Sequence, residues 1–193
     1  TLTMVLELVT EFRKSDQETP LVLMGYANPI ERMGYQVFAD RAASAGVDGL
    51  LTVDMPPEEA EQPTRILRAA GIDNIFLLAP TSSEDRIKKI VSLASGYLYC
   101  VSLNGVTGAG NLDIKAVSEK LASIKRFTDL PITVGFGIKD GVSAAALAPL
   151  CEGVVVGSAL IERLVATDAD KTVEQRAALA AALIAEIRSA IDA

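Results

Sequence analysis

Two glycine-rich loops in the C-terminal half of the sequence carry the residue types that bind a phosphate group. Gly135-Phe136-Gly137 and Gly157-Ser158 each follow a short apolar run. Glycine lets the backbone approach an anion closely, and the free N–H groups at the start of a following helix attract negative charge. The pair therefore predicts an anion site. Tight strand-to-helix turns are the alternative explanation of the same glycines.

A third glycine-rich segment, Asn104–Gly110, follows the apolar run that contains Tyr99. Its composition favours a lid that closes over a bound substrate and excludes water. Because three glycines leave the backbone little restraint, we expect this lid to be weakly ordered without ligand. A plain flexible connection is the alternative.

Histidine is absent from the sequence, which removes the commonest general base and the commonest metal ligand. Acid–base chemistry would then fall to Asp, Glu, Lys, Tyr or Cys side chains. Asp54 is a candidate because it follows an apolar run and precedes Pro56; a helix cap or an interface group is the alternative role. Cys100 and Cys151 lie within apolar stretches, so we expect buried, reduced thiols.

Composition restricts the class of protein. The chain has 193 residues, 50% of them hydrophobic, which suits one domain over residues 1–193. A formal net charge of −7 argues against nucleic-acid binding and means that local donors must hold any phosphorylated ligand. No apolar run reaches membrane-spanning length and the first residues lack a signal-peptide profile, so we expect a cytoplasmic protein without a membrane partner.

Six apolar runs of strand length predict six strands. Their near-continuous apolarity is typical of parallel strands covered on both faces. The runs are Leu21–Met24, Gly49–Val53, Ile75–Leu78, Tyr97–Val101, Ile132–Val134 and Gly153–Val156.

Amphipathic segments alternate with these strands. One stripe lies between Leu2 and Phe12, before the first strand. Pro29, Pro56-Pro57 and a capping box of Thr81 with Glu84 mark three helix starts. Further helices are predicted over Tyr35–Ala45, Glu58–Ala70, Glu84–Ala94, Ile114–Phe127, Ala144–Ala148, a short Ala159–Leu164 and about Val173–Ile191.

This alternation fits either an open doubly wound sheet or a closed (β/α)₈ TIM barrel, which needs eight strands and about 250 residues. Distinctive groups follow every strand, as in the ring of functional loops of a barrel. They favour an α/β TIM barrel of which this chain holds six of the eight β/α units.

Five ordered runs of residues resemble the tryptophan synthase α subunit family, and the resemblance covers the whole chain. The runs are Leu23–Pro29, Thr52–Glu59, Ser102–Gly108, Val134–Ile138 and Val156–Ala159. The resemblance implies a carbon–carbon lyase of tryptophan biosynthesis. Such an enzyme cleaves indole-3-glycerol phosphate to indole and glyceraldehyde 3-phosphate by a retro-aldol reaction, without metal or organic cofactor. A β subunit then takes the indole.

The resemblance also assigns binding residues. Those that would hold the phosphate are Gly135, Phe136, Gly137, Gly157 and Ser158, with Thr107 and Gly108 closing the lid. Tyr26, Leu51, Val53 and Tyr99 would line the indole and glycerol pocket, and Asn28 and Pro56 would face the β subunit. For Tyr26 and Tyr99 an ordinary core position is the alternative. Leu103 stands where some members have an Arg, which puts a lid salt bridge in doubt.

The family's catalytic acids are a general acid/base Glu and an Asp that contacts the indole N–H. The family segment with a Glu shortly before Pro-Phe-Ser-Asp has no counterpart in this sequence. We therefore expect that the chain starts after the first two β/α units and is inactive alone, with Asp54 as a substitute candidate. We also expect self-association through the open strand edges at Leu21–Met24 and Gly153–Val156.

Two rival functions remain open at this stage. One is a non-catalytic module that grips a glycerol phosphate and acts only by activating a β-type partner. The other is a different phosphate-binding barrel of tryptophan or histidine biosynthesis, which the runs Ala27–Pro29 and Asp54–Pro56 do not support.

Overall fold

The computed structural model describes residues 1–101, 114–135, 137–165 and 171–193. The chain divides into two compact units. Unit 1 holds Thr1–Leu77 and Ser82–Leu98, and unit 2 holds Leu78–Thr81 and the described part of Tyr99–Ala193. The expectation of one domain over the whole sequence stays a prediction.

Strands and helices alternate as the sequence predicts. In chain order they are α1 (Leu2–Arg13), β1 (Val22–Gly25), α2 (Ala27–Met33), α3 (Tyr35–Ala45), β2 (Gly49–Thr52), α4 (Glu61–Ala69), β3 (Asp73–Leu78), α5 (Glu84–Leu93), β4 (Leu98–Val101), α6 (Ile114–Lys125), β5 (Ile132–Gly135), α7 (Gly141–Leu147), β6 (Gly153–Val155), α8 (Ser158–Val165) and α9 (Val173–Ile191). No helix within these described residues is long and apolar enough to cross a membrane.

Three predicted helix starts, those of α2, α4 and α7, are wrong by two or three residues. Helix α4 begins three residues after Glu58, because the Glu59 amide donates to the Pro56 carbonyl at 3.0 Å and closes a turn first. Helix α5 begins at Glu84 as predicted, but its cap is Ser83 rather than Thr81, since the Ser83 hydroxyl accepts from the Arg86 amide.

Helix α7 begins at Gly141, three residues before the predicted Ala144. Asp140 and Ser143 form a capping box that adds this first turn. Helix α2 likewise begins two residues before Pro29. Proline is tolerated there because the first N–H groups of a helix have no intrahelical partner.

The strand pairs within each unit are parallel, as predicted. In unit 1, β1 pairs with β2 so that Val22 lies opposite Gly49, and β2 pairs with β3 so that Gly49 lies opposite Asp73. In unit 2, β5 pairs with β6 so that Thr133 lies opposite Gly153.

The core of unit 1 confirms the amphipathic patterns. Its buried cluster consists of Leu6, Val9, Ile30, Phe38, Ala39, Ala42, Ala45, Val47, Leu50, Leu67 and Ile72. All four residues of β2 are buried, as expected for a strand covered on both faces. Strand β1 departs from that expectation, because the side chain of Met24 is 59% exposed.

Unit 2 is built around α9, which contacts both α7 and α8. Its buried residues Ala180, Leu183 and Ile187 recur at helical spacing. Gly141 lies so close to α9 that an added Cβ would be 2.9 Å from the Ala190 Cβ.

Arg13 joins the end of α1 to the loop before β2. Its guanidinium donates to the carbonyls of Gly46 and Thr19, both at 2.8 Å, and to the Asp48 carboxylate at 2.6 Å. Gly46 has φ +93°, and a Cβ on it would lie 2.8 Å from the Arg13 Cγ. Only about a tenth of the Arg13 side chain is exposed, whereas about half of the Asp48 side chain is.

We expect the substitution Arg13→Met to lower the free energy of unfolding by about 1–3 kcal/mol, because it removes the donor to two carbonyls and the partner of the Asp48 carboxylate. Urea denaturation would measure the change. The matched control is Lys14→Met, which removes an exposed ion pair to Glu11 and should change stability by less than about 0.5 kcal/mol. Equal effects of the two variants would contradict this role of Arg13.

Candidate functional site

The two predicted anion loops of unit 2 lie at the ends of β5 and β6. Gly135 is the last residue of β5, and Gly137 has φ +81°. Ser158 is the first residue of α8, and the Gly157 carbonyl accepts from the amides of Leu160 and Ile161 at 3.0 and 3.1 Å. The first N–H groups of an α-helix have no intrahelical partner and are available to an anion.

The space around these glycines differs from one position to the next. A Cβ added at Gly137 or Gly157 would meet no atom of the described residues within 4 Å, so that part of the chain leaves space beside both backbones. A Cβ at Gly135 would instead overlap the Tyr99 hydroxyl and lie 2.9 Å from the Tyr99 Cε1. The structure therefore brings the predicted residues Tyr99 and Gly135 into direct contact, with Tyr99 only 6% exposed.

Several predicted site residues lie outside the described part of the chain. They are Phe136 of the first loop, Thr107 and Gly108 of the lid, and the rest of the lid segment Asn104–Gly110 with Leu103. Their roles stay predictions.

The predicted pocket residues of unit 1 follow β1 and β2. Tyr26 comes directly after β1 and is 64% exposed, whereas Leu51 within β2 is 2% exposed. The Val53 amide donates to the Gly25 carbonyl at 2.8 Å, which extends the pairing of the two strands.

Met24 is not among the predicted site residues, yet its side chain is exposed and it lies two positions before Tyr26. Residues two apart in a strand lie on the same face, so this spacing is the sequence signal that groups Met24 with Tyr26.

Asp54 has a structural partner. Its carboxylate accepts from the Ala27 amide at 2.7 Å, so it ties the loop after β2 to the start of α2. This bond supports the orienting role that the sequence left open for Asp54. Asn28 is exposed on α2, and Pro56 is half-buried in the same loop as Asp54.

Both cysteines are free thiols, as predicted, but only Cys100 is buried, whereas Cys151 is half-buried. Burial raises the pKa of Cys100 to about 11. Burial also raises the pKa of Cys151, whose Sγ donates to the Leu147 and Gly153 carbonyls. The raised pKa lowers the fraction of each thiol that is ionised, and the thiolate is the reactive form. Within the described ranges, no three acids or cysteines are grouped so that they could hold a metal ion.

Comparison with known proteins identifies the family. The profile described as "Tryptophan synthase alpha chain" matches residues 1–190. This chain belongs to that family.

Individual relatives agree. The tryptophan synthase alpha chain of Thioalkalivibrio sulfidiphilus is 56% identical over 191 residues, which cover 99% of this chain and 71% of the relative. The corresponding chain of Methylococcus capsulatus is 54% identical over 188 residues, which cover 97% of this chain and 70% of the relative.

Solved structures give the same result for the fold. The tryptophan synthase α subunit of Legionella pneumophila superposes with a TM-score of 0.88 at 42% identity, covering 99% of this chain and 70% of that one. A structure of the tryptophan synthase α2β2 complex from Pyrococcus furiosus matches with a TM-score of 0.85 at 37% identity, covering 98% and 74%.

The fold and the enzyme class follow from this membership. The six β/α units have the α/β TIM-barrel fold of the tryptophan synthase α structures, as the sequence predicts. The family is a lyase of tryptophan biosynthesis, and the corresponding predictions are confirmed. Two expectations stay predictions: that two β/α units of the barrel precede this sequence, and that the chain is inactive alone.

We expect Gly135→Ala to displace the Tyr99 ring, because a methyl group cannot share space with the phenol. The variant should lose about 1–3 kcal/mol of stability, measured by urea denaturation. Replacing Tyr99 by Ala in the Gly135→Ala background removes the overlap. The loss in the double variant should then be smaller than the sum of the two single losses. Additive losses would contradict a direct clash.

Proposed function

We propose that the loops of unit 2 bind the phosphate of indole-3-glycerol phosphate. The observation that carries this proposal is the start of α8, where Gly157 faces open space and Ser158 begins the helix. Gly135 and Gly137 would supply the second loop, with Phe136, Thr107 and Gly108 completing the site. The chain carries a net charge of −7, so backbone N–H groups are suited to hold an anion that the protein as a whole repels.

The proposed reaction is the retro-aldol cleavage of this substrate to indole and glyceraldehyde 3-phosphate, without metal or organic cofactor. The residues proposed to bind the indole and glycerol parts of the substrate are Tyr26, Leu51, Val53 and Tyr99. The exposure of Tyr26 and Val53 supports this role, since both side chains are accessible to a ligand. We place the reaction in the cytoplasm.

The proposed partner is a tryptophan synthase β subunit, which takes the indole. The support comes from the Pyrococcus furiosus relative, which is described as an α2β2 complex with mutual activation. Asn28 and Pro56 would face this partner, because they lie on α2 and on the loop that Asp54 ties to it. Self-association through the outer edges of β1 and β6 is a further part of the proposal.

One assay tests the reaction and its main rival. The purified chain, alone and with a β subunit, would be incubated with indole-3-glycerol phosphate, and glyceraldehyde 3-phosphate would be measured. Product formation supports the lyase, excludes the non-catalytic binding module and contradicts the prediction that the chain is inactive alone. Activation of the β subunit without any cleavage would agree with that prediction and would leave the binding module in place.

We expect Gly157→Leu to weaken binding of glycerol 3-phosphate by about tenfold or more, because the side chain would occupy the proposed anion position and block one or two hydrogen bonds. Isothermal calorimetry would measure the affinity. The melting temperature should stay unchanged, since the added atoms point into open space. Val142→Leu, on the 82% exposed residue in the first turn of α7, is the control and should leave the affinity unchanged. Unchanged binding by Gly157→Leu would rule out this phosphate position.

A further inference from the structure

Unit 1 contains a pocket of about 460 Å³ between α2, the start of α3, the loop after β2 and α4. Its wall is mixed in character. Met55, Pro63, Ile66 and the ring of Tyr35 supply apolar surface, and the carboxylates of Glu31 and Glu59 supply negative charge. A ligand that fits such a wall has an apolar stem and a cationic end.

The two acids are available to a ligand. Glu31 and Glu59 are exposed, and no described basic side chain forms an ion pair with either. The neighbouring Glu58 is different, because Lys89 lies 3.0 Å from its carboxylate. The negative charge at the pocket is therefore not neutralised by this part of the chain.

The Tyr35 hydroxyl has an unused hydrogen-bonding capacity. Its oxygen is buried and has no hydrogen-bond partner among the described residues. Burial and the nearby carboxylates of Glu31, Asp54 and Glu59 raise the pKa of Tyr35 to about 12. The phenol is thus neutral at physiological pH, and its oxygen can accept a hydrogen bond from an N–H group.

We infer that this pocket binds an arginine or lysine side chain of the tryptophan synthase β subunit. The inference rests on the proposed partnership with that subunit. The aliphatic stem of the basic residue packs against Met55 and Ile66, and its cation lies between Glu31 and Glu59.

The position of the pocket favours a protein partner over a free small amine. Glu31 lies on α2 one turn after Asn28, and Met55 immediately precedes Pro56. Asn28 and Pro56 are the two residues proposed to face the β subunit, so the pocket continues the same surface. The net charge of −7 also favours encounter with a basic surface.

The test compares two pairs of charge-neutralising substitutions. Glu31→Gln with Glu59→Gln keeps side-chain size and removes the negative charge from the pocket. The control, Glu7→Gln with Glu18→Gln, makes the same charge change at two exposed acids elsewhere on unit 1. The affinity for the β subunit of the same organism would be measured by titration at low and at high salt.

We expect the pocket variant to bind the β subunit about tenfold more weakly at low salt, with a reduced dependence on salt, because a charge pair has been removed. The control should bind within about twofold of the unmodified chain.

Equal affinities of the pocket variant and the control would overturn the inference while leaving the partnership intact. Failure of the unmodified chain to bind any β subunit would overturn the partnership and the inference with it. Saturable binding of arginine amide to the chain alone at micromolar concentration, lost in the pocket variant, would identify a small cationic ligand instead and would also overturn the inference.

Discussion

The fold of both units depends on carboxylates that satisfy backbone amides one β/α step away. In unit 1, the Leu21 amide donates to the Asp48 carboxylate at 2.6 Å, and the Asp48 amide donates back to the Leu21 carbonyl at 2.9 Å. In unit 2, Ile132 and Glu152 form the same reciprocal pair, at 2.8 and 3.0 Å. Each acid precedes one strand and binds the start of the strand before it. The pair thus fixes the register of two parallel strands that are not joined by a hairpin.

A basic side chain pairs with each of these two carboxylates. Arg13 lies 2.6 Å from Asp48, and Lys125 lies 2.6 Å from Glu152. Burial opposes the ionisation of Glu152, but Lys125 and the Ile132 amide outweigh it and hold its pKa below the ordinary value. A charged carboxylate is a stronger acceptor than a neutral one, so the base strengthens the bond to the strand.

Asp54 makes a similar carboxylate-to-amide bond at the opposite end of the strands, where the function is proposed to lie. Its bond to the Ala27 amide sets the start of α2, which places Tyr26 and Asn28. The carboxylates of unit 1 therefore differ in whether they bind a backbone amide. Asp48 and Asp54 accept hydrogen bonds from backbone amides. Glu31 and Glu59 have no such partner in the described chain, and both line the pocket between α2 and α4. This difference in occupation, rather than the number of acids, distinguishes a structural carboxylate from one available to a ligand.

The sequence by itself determined the order of the elements, their parallel arrangement and the family. The periodicity of α3 and α9 and the motifs after the strands are local properties, so the predicted bounds of these two helices agree with the structure. Tertiary structure decided the rest. The start of α4 depends on a turn at Pro56, and the exposure of Met24 depends on the residues around β1. Position 135 needs glycine because the Tyr99 ring lies against it. Tyr99 and Gly135 are distant in the chain, and no local pattern encodes a contact between two strands. The unpartnered Tyr35 hydroxyl was equally invisible, because a missing hydrogen bond is a property of the packed surroundings and not of the residue.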